Sequence, residues 1–489
     1  MTNFNWLLDG SIVGVYLLIT MIAGLMVRKY VGKVEHFLVA GREMDLFLGI
    51  ASLAATEFGI VTCMYTAQNG FQKGFAGATP GLLMAAAMLI VGVTGFCIKP
   101  LRDSGVMTLP ELIDKKFGPN IRWASGVVIV LGGLLNMGVF LRVGGQFLVL
   151  VSGMNVGYLE VMMTALLIGV AVYTILGGML SVLVTDFLQF IVMSVGLIAV
   201  TILILMNVGW ESLVGAVEKN YGAGGFNPFV GGSMGWGYVL AQGLLNTAAV
   251  LTWQTTIARV LAAKDTDTGR KIYSRTSFFF VCRFLIPGIW GIAALVHFGP
   301  IADDAMALEA MPKYLAIAVP SGLMGILIAA MLAADMSTDS SYMLSWGSVI
   351  YNDIMAPFHK GKWTDKKGLL INRFIVAAIG VFLLFYGLWY KTEGGLWDYL
   401  TVTGTIYLAS ISVLLIAGCY WKPANSWGAA AAIFVGAAIP ITYLVMQKSD
   451  GMKEMAKSIG PNYSVIAAFV GATLAMIIGS MLKPKSQNI

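Results

Sequence analysis

Thirteen stretches of this chain run apolar for about the length a helix needs to cross a bilayer, and no other feature constrains the fold as tightly. A transmembrane helix takes about 20 mostly apolar residues. The stretches lie near 10–28, 47–68, 75–98, 123–152, 157–176, 182–208, 234–262, 272–298, 321–352, 368–390, 398–420, 427–446 and 464–482. The apolar residues in them are continuous rather than alternating, which excludes an outer-membrane barrel. Hydrophobic residues make up 58% of the 489 and charged residues only 11%. A soluble domain carries about 25% charge, so an ordinary cytosolic enzyme is excluded, and so is a disordered chain. The expected fold is an all-α polytopic membrane protein of about thirteen helices, with the lipid bilayer as its first partner.

Basic residues orient such a chain. With the N-terminus outside, the cytoplasmic connections and the tail hold 21 Lys and Arg, and the opposite side holds 7, namely Lys73, Lys219, Lys313, Lys391, Lys448, Lys453 and Lys457. Arg142, Arg259 and Arg283 fall inside spans. This bias predicts N-out, C-in, in the cytoplasmic membrane. It also accounts for the +6 net charge without nucleic acid. No signal-peptide pattern is expected, because Asp9 precedes the first apolar run and the basic residues follow it. The four cysteines form no CxxC pair and the three histidines are scattered, which points away from zinc, haem and a His-based triad. Residues 108–117 read as a short helix with Thr108 as N-cap. The glycine-rich stretch 209–233 reads as a connector or a hinged lid.

Polar residues are costly inside a bilayer and concentrate where a cavity or partner compensates them. Glu57 stands mid-span between Thr56 and Gly59, as suits a broken helix whose freed carbonyls hold a cation; a pairing with Arg142 is the other reading. Asp186 either caps a helix start after Gly177-Gly178 or serves a site. The ninth span is the most polar. Ala334, Ser337, Thr338 and Ser341 share one helical face, a hard-oxygen set that suits Na⁺. Asp335 and Asp339 share another face at i, i+4 and cannot both ionise without a cation or base. Interhelical hydrogen bonding by Ser and Thr is the alternative. Asn136, Arg142, Gln242, Asn246, Thr252, Trp253 and Gln254 supply the remaining intramembrane polarity.

These segments resemble the signatures of the sodium:solute symporter family, which includes sodium/proline, sodium/pantothenate and sodium/sugar cotransporters. Phe37-Leu-Val-Ala-Gly-Arg42 resembles the motif after the first helix. Residues 177–189 resemble the GG…TD..Q signature, and residues 333–341 with Asp353 the AA.MST.DS…D signature. Tyr420-Trp421-Lys422 and Gly436 resemble a late-helix pattern. The resemblance implies a LeuT-type five-plus-five inverted repeat within a single transporter domain. One helix (10–28) precedes repeat one (47–208) and repeat two (234–420), and two helices follow (427–482). Spans two and seven are then expected to be discontinuous.

By the same resemblance, a sodium ion would lie on the carbonyls of Ala55, Phe58 and Ala334 and the hydroxyls of Ser337 and Thr338. A second cation would lie on Asp186, Ser340 and Ser341. Substrate would lie near Glu57, Gln68, Arg142, Gln242, Asn246, Trp253 and Thr403. Two departures stand out. Many relatives are neutral where Glu57 stands, though the proline branch has Asp, and Asp335 is acidic where the pattern is apolar. Asp335 and Asp339 are therefore candidates for a further cation or a proton.

The function implied is a sodium-coupled symporter, not an enzyme, that imports a small polar organic solute by alternating access. Na⁺ would be the coupling ion, with no organic cofactor, and a monomer would suffice. An amino acid or small carboxylate is the favoured solute, on the opposite charges of Arg142 and Glu57. Proton coupling in the same fold, and a sensor that binds solute without moving it, are the alternatives.

Overall fold

The computed structural model describes residues 2–230, 234–359, 363–390 and 395–483, and among them it is helical throughout, without a named strand. Gly231, Gly232, Lys360, Lys362, Lys391 and Lys485, which entered the loop and charge arguments, lie outside the described residues. The helices are α1 (Leu8–Val27), α2 (Val34–Val39), α3 (Leu46–Thr56), α4 (Ile60–Lys73), α5 (Thr79–Thr94), α6 (Ile98–Asp103), α7 (Leu109–Phe117), α8 (Pro119–Met137), α9 (Phe140–Ser152) and α10 (Leu159–Val208). They continue with α11 (Trp210–Tyr221), α12 (Trp236–Thr252), α13 (Gln254–Ala262), α14 (Thr266–Phe298), α15 (Asp304–Ala318), α16 (Leu323–Val349), α17 (Asp365–Trp389), α18 (Leu396–Tyr420), α19 (Ser426–Lys448) and α20 (Lys453–Leu482).

Every expected apolar segment coincides with helix, but among the described residues only ten helical runs are long and apolar enough to cross a membrane. The difference has three sources. The run 60–94 joins part of the second segment to the third. The run 156–208 joins the fifth to the sixth, and its 53 residues would make a straight helix about 80 Å long against a core of about 30 Å. It is not straight, because Gly178 turns the chain at φ 55°, ψ −149° inside α10. Finally, the segment 234–262 is divided at Trp253 (ψ 119°) into α12 and α13, neither long enough alone. The second segment is divided likewise, at Glu57-Phe58-Gly59 between α3 and α4. Both expected discontinuities are thus present.

Small residues set the closest helix approaches, as in other membrane bundles. A Cβ on Gly291 of α14 would lie 1.9 Å from the Ala67 carbonyl of α4, and one on Gly70 would lie 2.2 Å from the Gly288 carbonyl. The two helices meet backbone to backbone. The most apolar window of α16 is 89% buried, whereas that of α1 is 17% buried. The polar ninth span is therefore interior, as is α18 at the same 89%, and α1 is a rim. Asp9 ties α1 to α16: it accepts from the amides of Gly322 (2.7 Å) and Gly325 (2.8 Å) and from the Ser321 hydroxyl (3.0 Å), capping α16 from another helix.

Two local expectations change. Much of 209–233 is helix, α11, with Leu213 and Val217 buried, so a purely irregular connector is ruled out. Thr108 does precede α7, but its side chain does not cap it. Its hydroxyl donates instead to Asp353 Oδ1 (2.9 Å), which also takes Arg122 Nε at 2.8 Å. The Asp353 of the long signature thus locks α7 and α8 to the π-helical turn Ile350–Met355 that follows α16.

Candidate functional site

The two helix breaks and α16 border one cavity. Glu57, in the first break, reaches the start of the half-helix α13 after the second. Its Oε1 accepts from the hydroxyls of Thr255 (2.8 Å) and Thr256 (3.1 Å). A carboxylate at a helix N-terminus lies where the backbone dipole favours it. Its Oε2 pairs with Arg283 Nη1 of α14 at 3.3 Å. Arg283 also donates to Thr62 Oγ1 (3.3 Å) and Tyr65 OH (3.1 Å). The pairing foreseen between Glu57 and Arg142 does not form. Arg142 turns away to donate to the carbonyls of Gly387 (3.1 Å) and Leu388 (3.4 Å), the negative end of α17.

The hydroxyls expected to hold sodium meet the broken end of α3. Thr338 Oγ1 donates to the Thr56 carbonyl (2.9 Å), and a Cβ on Gly59 would lie 2.8 Å from that hydroxyl. Ser337 Oγ donates to Asp186 Oδ1 (2.6 Å). Each hydroxyl spends its one proton on a neighbour, which leaves its oxygen lone pairs to accept a cation. Ala55, Phe58 and Ala334 are all fully or almost fully buried. The donor set is hard oxygen throughout and fits an alkali ion.

Asp186 is not a helix cap. It sits well inside the second limb of α10, fully buried, and its Oδ2 accepts from Ser52 Oγ (2.5 Å) and Arg259 Nη2 (3.0 Å). Arg259, also fully buried, places Nη2 2.6 Å from Thr56 Oγ1 and 2.6 Å from Ser341 Oγ, and Nε 3.1 Å from Ser52 Oγ. A guanidinium therefore stands among the groups assigned to a second cation. Ser340, assigned to the same set, does not join the cluster, since its hydroxyl donates back to the Ser337 carbonyl (3.1 Å). Sequence reading placed both arginines inside spans but gave neither a partner, although an arginine inside an apolar span needs a carboxylate.

Between the breaks lies a cavity of about 90 Å³, lined by Glu57, Arg283, Asp335, Asn136, Asn246 and Thr338 and walled by Tyr65, Phe140, Trp253, Phe284, Tyr342 and Trp397. Of the seven expected substrate residues, Glu57, Asn246 and Trp253 line it and four do not. Gln68 donates to the Asp304 carbonyl (2.8 Å) and lines a separate vestibule of about 660 Å³ with Lys73, Asp304, Trp397 and Asp398. Gln242 lies a turn behind Asn246 and accepts from it (3.2 Å). Thr403 supports Asn136, accepting its amide at 3.2 Å. Arg142 is at α17. Trp397 borders both cavity and vestibule. Trp253 stacks on Tyr407 (5.7 Å) and donates from its indole to Tyr342 OH (3.1 Å).

Asp335 and Asp339 are 1% and 2% exposed. Among the described residues neither has an ion pair within 4.0 Å. Asp335 Oδ2 and both Asp339 oxygens have no hydrogen-bond partner.

A family model described as "Sodium:solute symporter family" matches residues 37–436. The osmoregulated proline transporter OpuE of Bacillus subtilis is 24% identical over 96% of this chain and 94% of its own length. Sodium/glucose cotransporter 4 of Danio rerio is 25% identical over 90% of this chain and 72% of its own length. Among solved structures, a Na⁺-coupled sialic acid symporter, described as substrate-bound, outward-open and revealing a novel Na⁺ site, superposes with a TM-score of 0.81 at 16% identity. That match covers 99% of each chain. The nucleobase-cation symporter Mhp1 superposes at 0.56, with 15% identity over 91% of this chain and 94% of that one.

Proposed function

Because the chain belongs to the sodium:solute symporter family, we propose that it moves one small amino-bearing organic solute together with Na⁺, through the cavity between the two helix breaks. It is a multi-pass membrane transporter with the LeuT-type fold, and sodium-coupled symport follows from the family. The finer reading is ours. Residues 47–208 and 234–420 form the inverted repeats, 10–28 and 427–482 flank them, and the N-terminus is outside. A monomer carries the whole pathway, and no organic cofactor enters it.

One observation carries the ion assignment: the α16 hydroxyls of Ser337 and Thr338 spend their protons on Asp186 and Thr56, at the broken end of α3. With the carbonyls of Ala55, Phe58 and Ala334 they form the ion site. Sodium there bridges α3 to α16 and favours one side of the alternating-access equilibrium. One Na⁺ crossing ~100 mV releases roughly 2.3 kcal/mol, and a tenfold gradient adds about 1.4 kcal/mol. Together these support about 500-fold accumulation at a ratio of one to one.

The solute assignment follows the cavity's charge. Glu57 and Arg283 neutralise each other, whereas Asp335 faces the cavity without a base. A solute ammonium on Asp335, with Asn136 and Asn246 for its polar groups and aromatic walls for its carbon frame, completes the balance. An amine cation meets this charge directly; an amino acid meets it only if Asn136 and Asn246 donate to its carboxylate, since Arg283 is already paired with Glu57. A simple carboxylate does not meet it, because the argument for it rested on Arg142. Proton coupling is the second reading, favoured by the unpartnered oxygens of Asp335 and Asp339.

The test is uptake into proteoliposomes of labelled amino acids, monocarboxylates and sugars, each with a Na⁺ gradient or a pH gradient alone. Na⁺-driven uptake of an amino acid is expected. Ser337→Ala with Thr338→Ala should abolish the Na⁺ dependence while the protein stays inserted. Unaltered Na⁺ activation in that variant would refute the ion site, and uptake driven by a pH gradient in Na⁺-free buffer would favour the proton.

A further inference from the structure

Arg259 stands in a cluster of buried oxygens. Its Nη2 has Thr56 Oγ1 and Ser341 Oγ at 2.6 Å and Asp186 Oδ2 at 3.0 Å, and Ser52 Oγ lies 3.1 Å from its Nε. Without the guanidinium, what remains is one carboxylate and three hydroxyls, drawn from α3, α10 and α16 and buried from solvent. That is a hard-oxygen set of net charge −1, the donor chemistry of an alkali ion. With the guanidinium present, the set is electroneutral, and a second cation beside a fixed positive charge is repelled.

We infer that Arg259 is a tethered counter-cation that fills this oxygen cage permanently, so that the chain binds one Na⁺ fewer than its buried oxygens could hold. The inference rests on the sodium-coupled reading given above, and it sets the coupling ratio of that reading at one ion. Asp186 links the two positions: one oxygen takes Arg259 (3.0 Å) and the other takes the Ser337 hydroxyl (2.6 Å). The guanidinium pairs with one oxygen of Asp186, and the other oxygen accepts the Ser337 proton and so holds it away from the first ion. Arg259 acts here as a positioning residue. An ion that binds and leaves would make that hold depend on Na⁺ concentration, whereas a side chain makes it constant.

The experiment counts bound ²²Na⁺ on purified protein at saturation, for the parent, Arg259→Ala and Arg259→Lys. Arg259→Ala is expected to bind one Na⁺ per chain more than the parent, and its unfolding temperature should rise with Na⁺ over a range in which the parent has already saturated. Removing Asp186 as well, in the double variant Arg259→Ala with Asp186→Asn, should abolish the additional ion. Arg259→Lys keeps the charge and should match the parent. Equal counts in the parent and Arg259→Ala overturn the inference, as does an additional ion in Arg259→Lys. If the buried carboxylate destabilises Arg259→Ala, purification in NaCl should recover it where N-methylglucamine chloride does not. Loss in both salts means that the pair is purely structural, and the inference fails. A parent that binds no Na⁺ refutes the symport reading instead, because the increment in Arg259→Ala is still read.

Discussion

At the scale of single residues, two buried arginines are each paired to a buried carboxylate, Arg283 to Glu57 and Arg259 to Asp186. Glu57 and Arg283 are both buried and joined at 3.3 Å. Removing one partner of such a pair costs about 3–5 kcal/mol, because the other is left uncompensated. Glu57→Gln is therefore expected to lower the unfolding temperature in detergent sharply, and Glu57→Gln with Arg283→Gln to recover more than half of the loss. Asp335 should behave in the opposite way. No base loses a partner when it is neutralised, so Asp335→Asn should unfold at the parent's temperature or above. Uptake of an amino-bearing solute should still fall at least tenfold. An unfolding temperature depressed as far as in Glu57→Gln would show that Asp335 serves the fold. The polar clusters themselves were legible in the sequence, since Glu57, Asp186, Ser337, Thr338 and Asp335 all stood out against apolar runs. Their partners were not: Arg283 follows Glu57 by 226 positions, a separation over which periodicity carries no information.

At the scale of elements, two breaks and one borrowed cap position the site. The first break was legible because Glu57 and Gly59 together are poor material for unbroken helix in lipid, and the second was expected only from the family resemblance. The cap was not legible. Asp9 looked like the outer end of the first span, yet it supplies the acceptors for the first amides of α16. Hydrogen bonds to a charged group contribute about 1.5–3 kcal/mol. Asp9→Ala should therefore lower stability by roughly that amount and speed amide hydrogen exchange at Gly322 and Gly325 ahead of the rest of α16. Protection unchanged at those two amides would show that the cap is redundant. Gly291→Ala tests the α4–α14 contact: its Cβ would fall 1.9 Å from a backbone carbonyl, so the helices must separate, and a large loss of folded protein on size-exclusion chromatography is expected.

At the scale of the whole molecule, a small central cavity and a larger vestibule share Trp397 as a border. A transporter that works by alternating access needs thin barriers of this kind. Trp397→Ala should join the two spaces. A cysteine placed at Asn246 should then react faster with a membrane-impermeant thiol reagent than it does in the Trp397 background. Equal rates would place the barrier elsewhere. The vestibule also accounts for Gln68: it carries the polarity of a pathway rather than of a binding pocket, and the sequence offers no way to tell one from the other.

The sequence by itself determined a helical membrane protein with thirteen apolar segments, two broken helices, a polar span near residue 337 and membership in a symporter family. Those properties are local: they follow from run length, from the cost of polar groups in lipid and from contiguous motifs. Only the tertiary structure decided which arginine meets which carboxylate, that Arg142 turns outward to α17, that Arg259 stands among the oxygens of Asp186 and Ser341, and that Asp335 faces the cavity alone. Each of these depends on how helices distant in sequence rotate and approach, and that is set by close glycine contacts and by the pairing of buried charge, neither of which has a period along the chain.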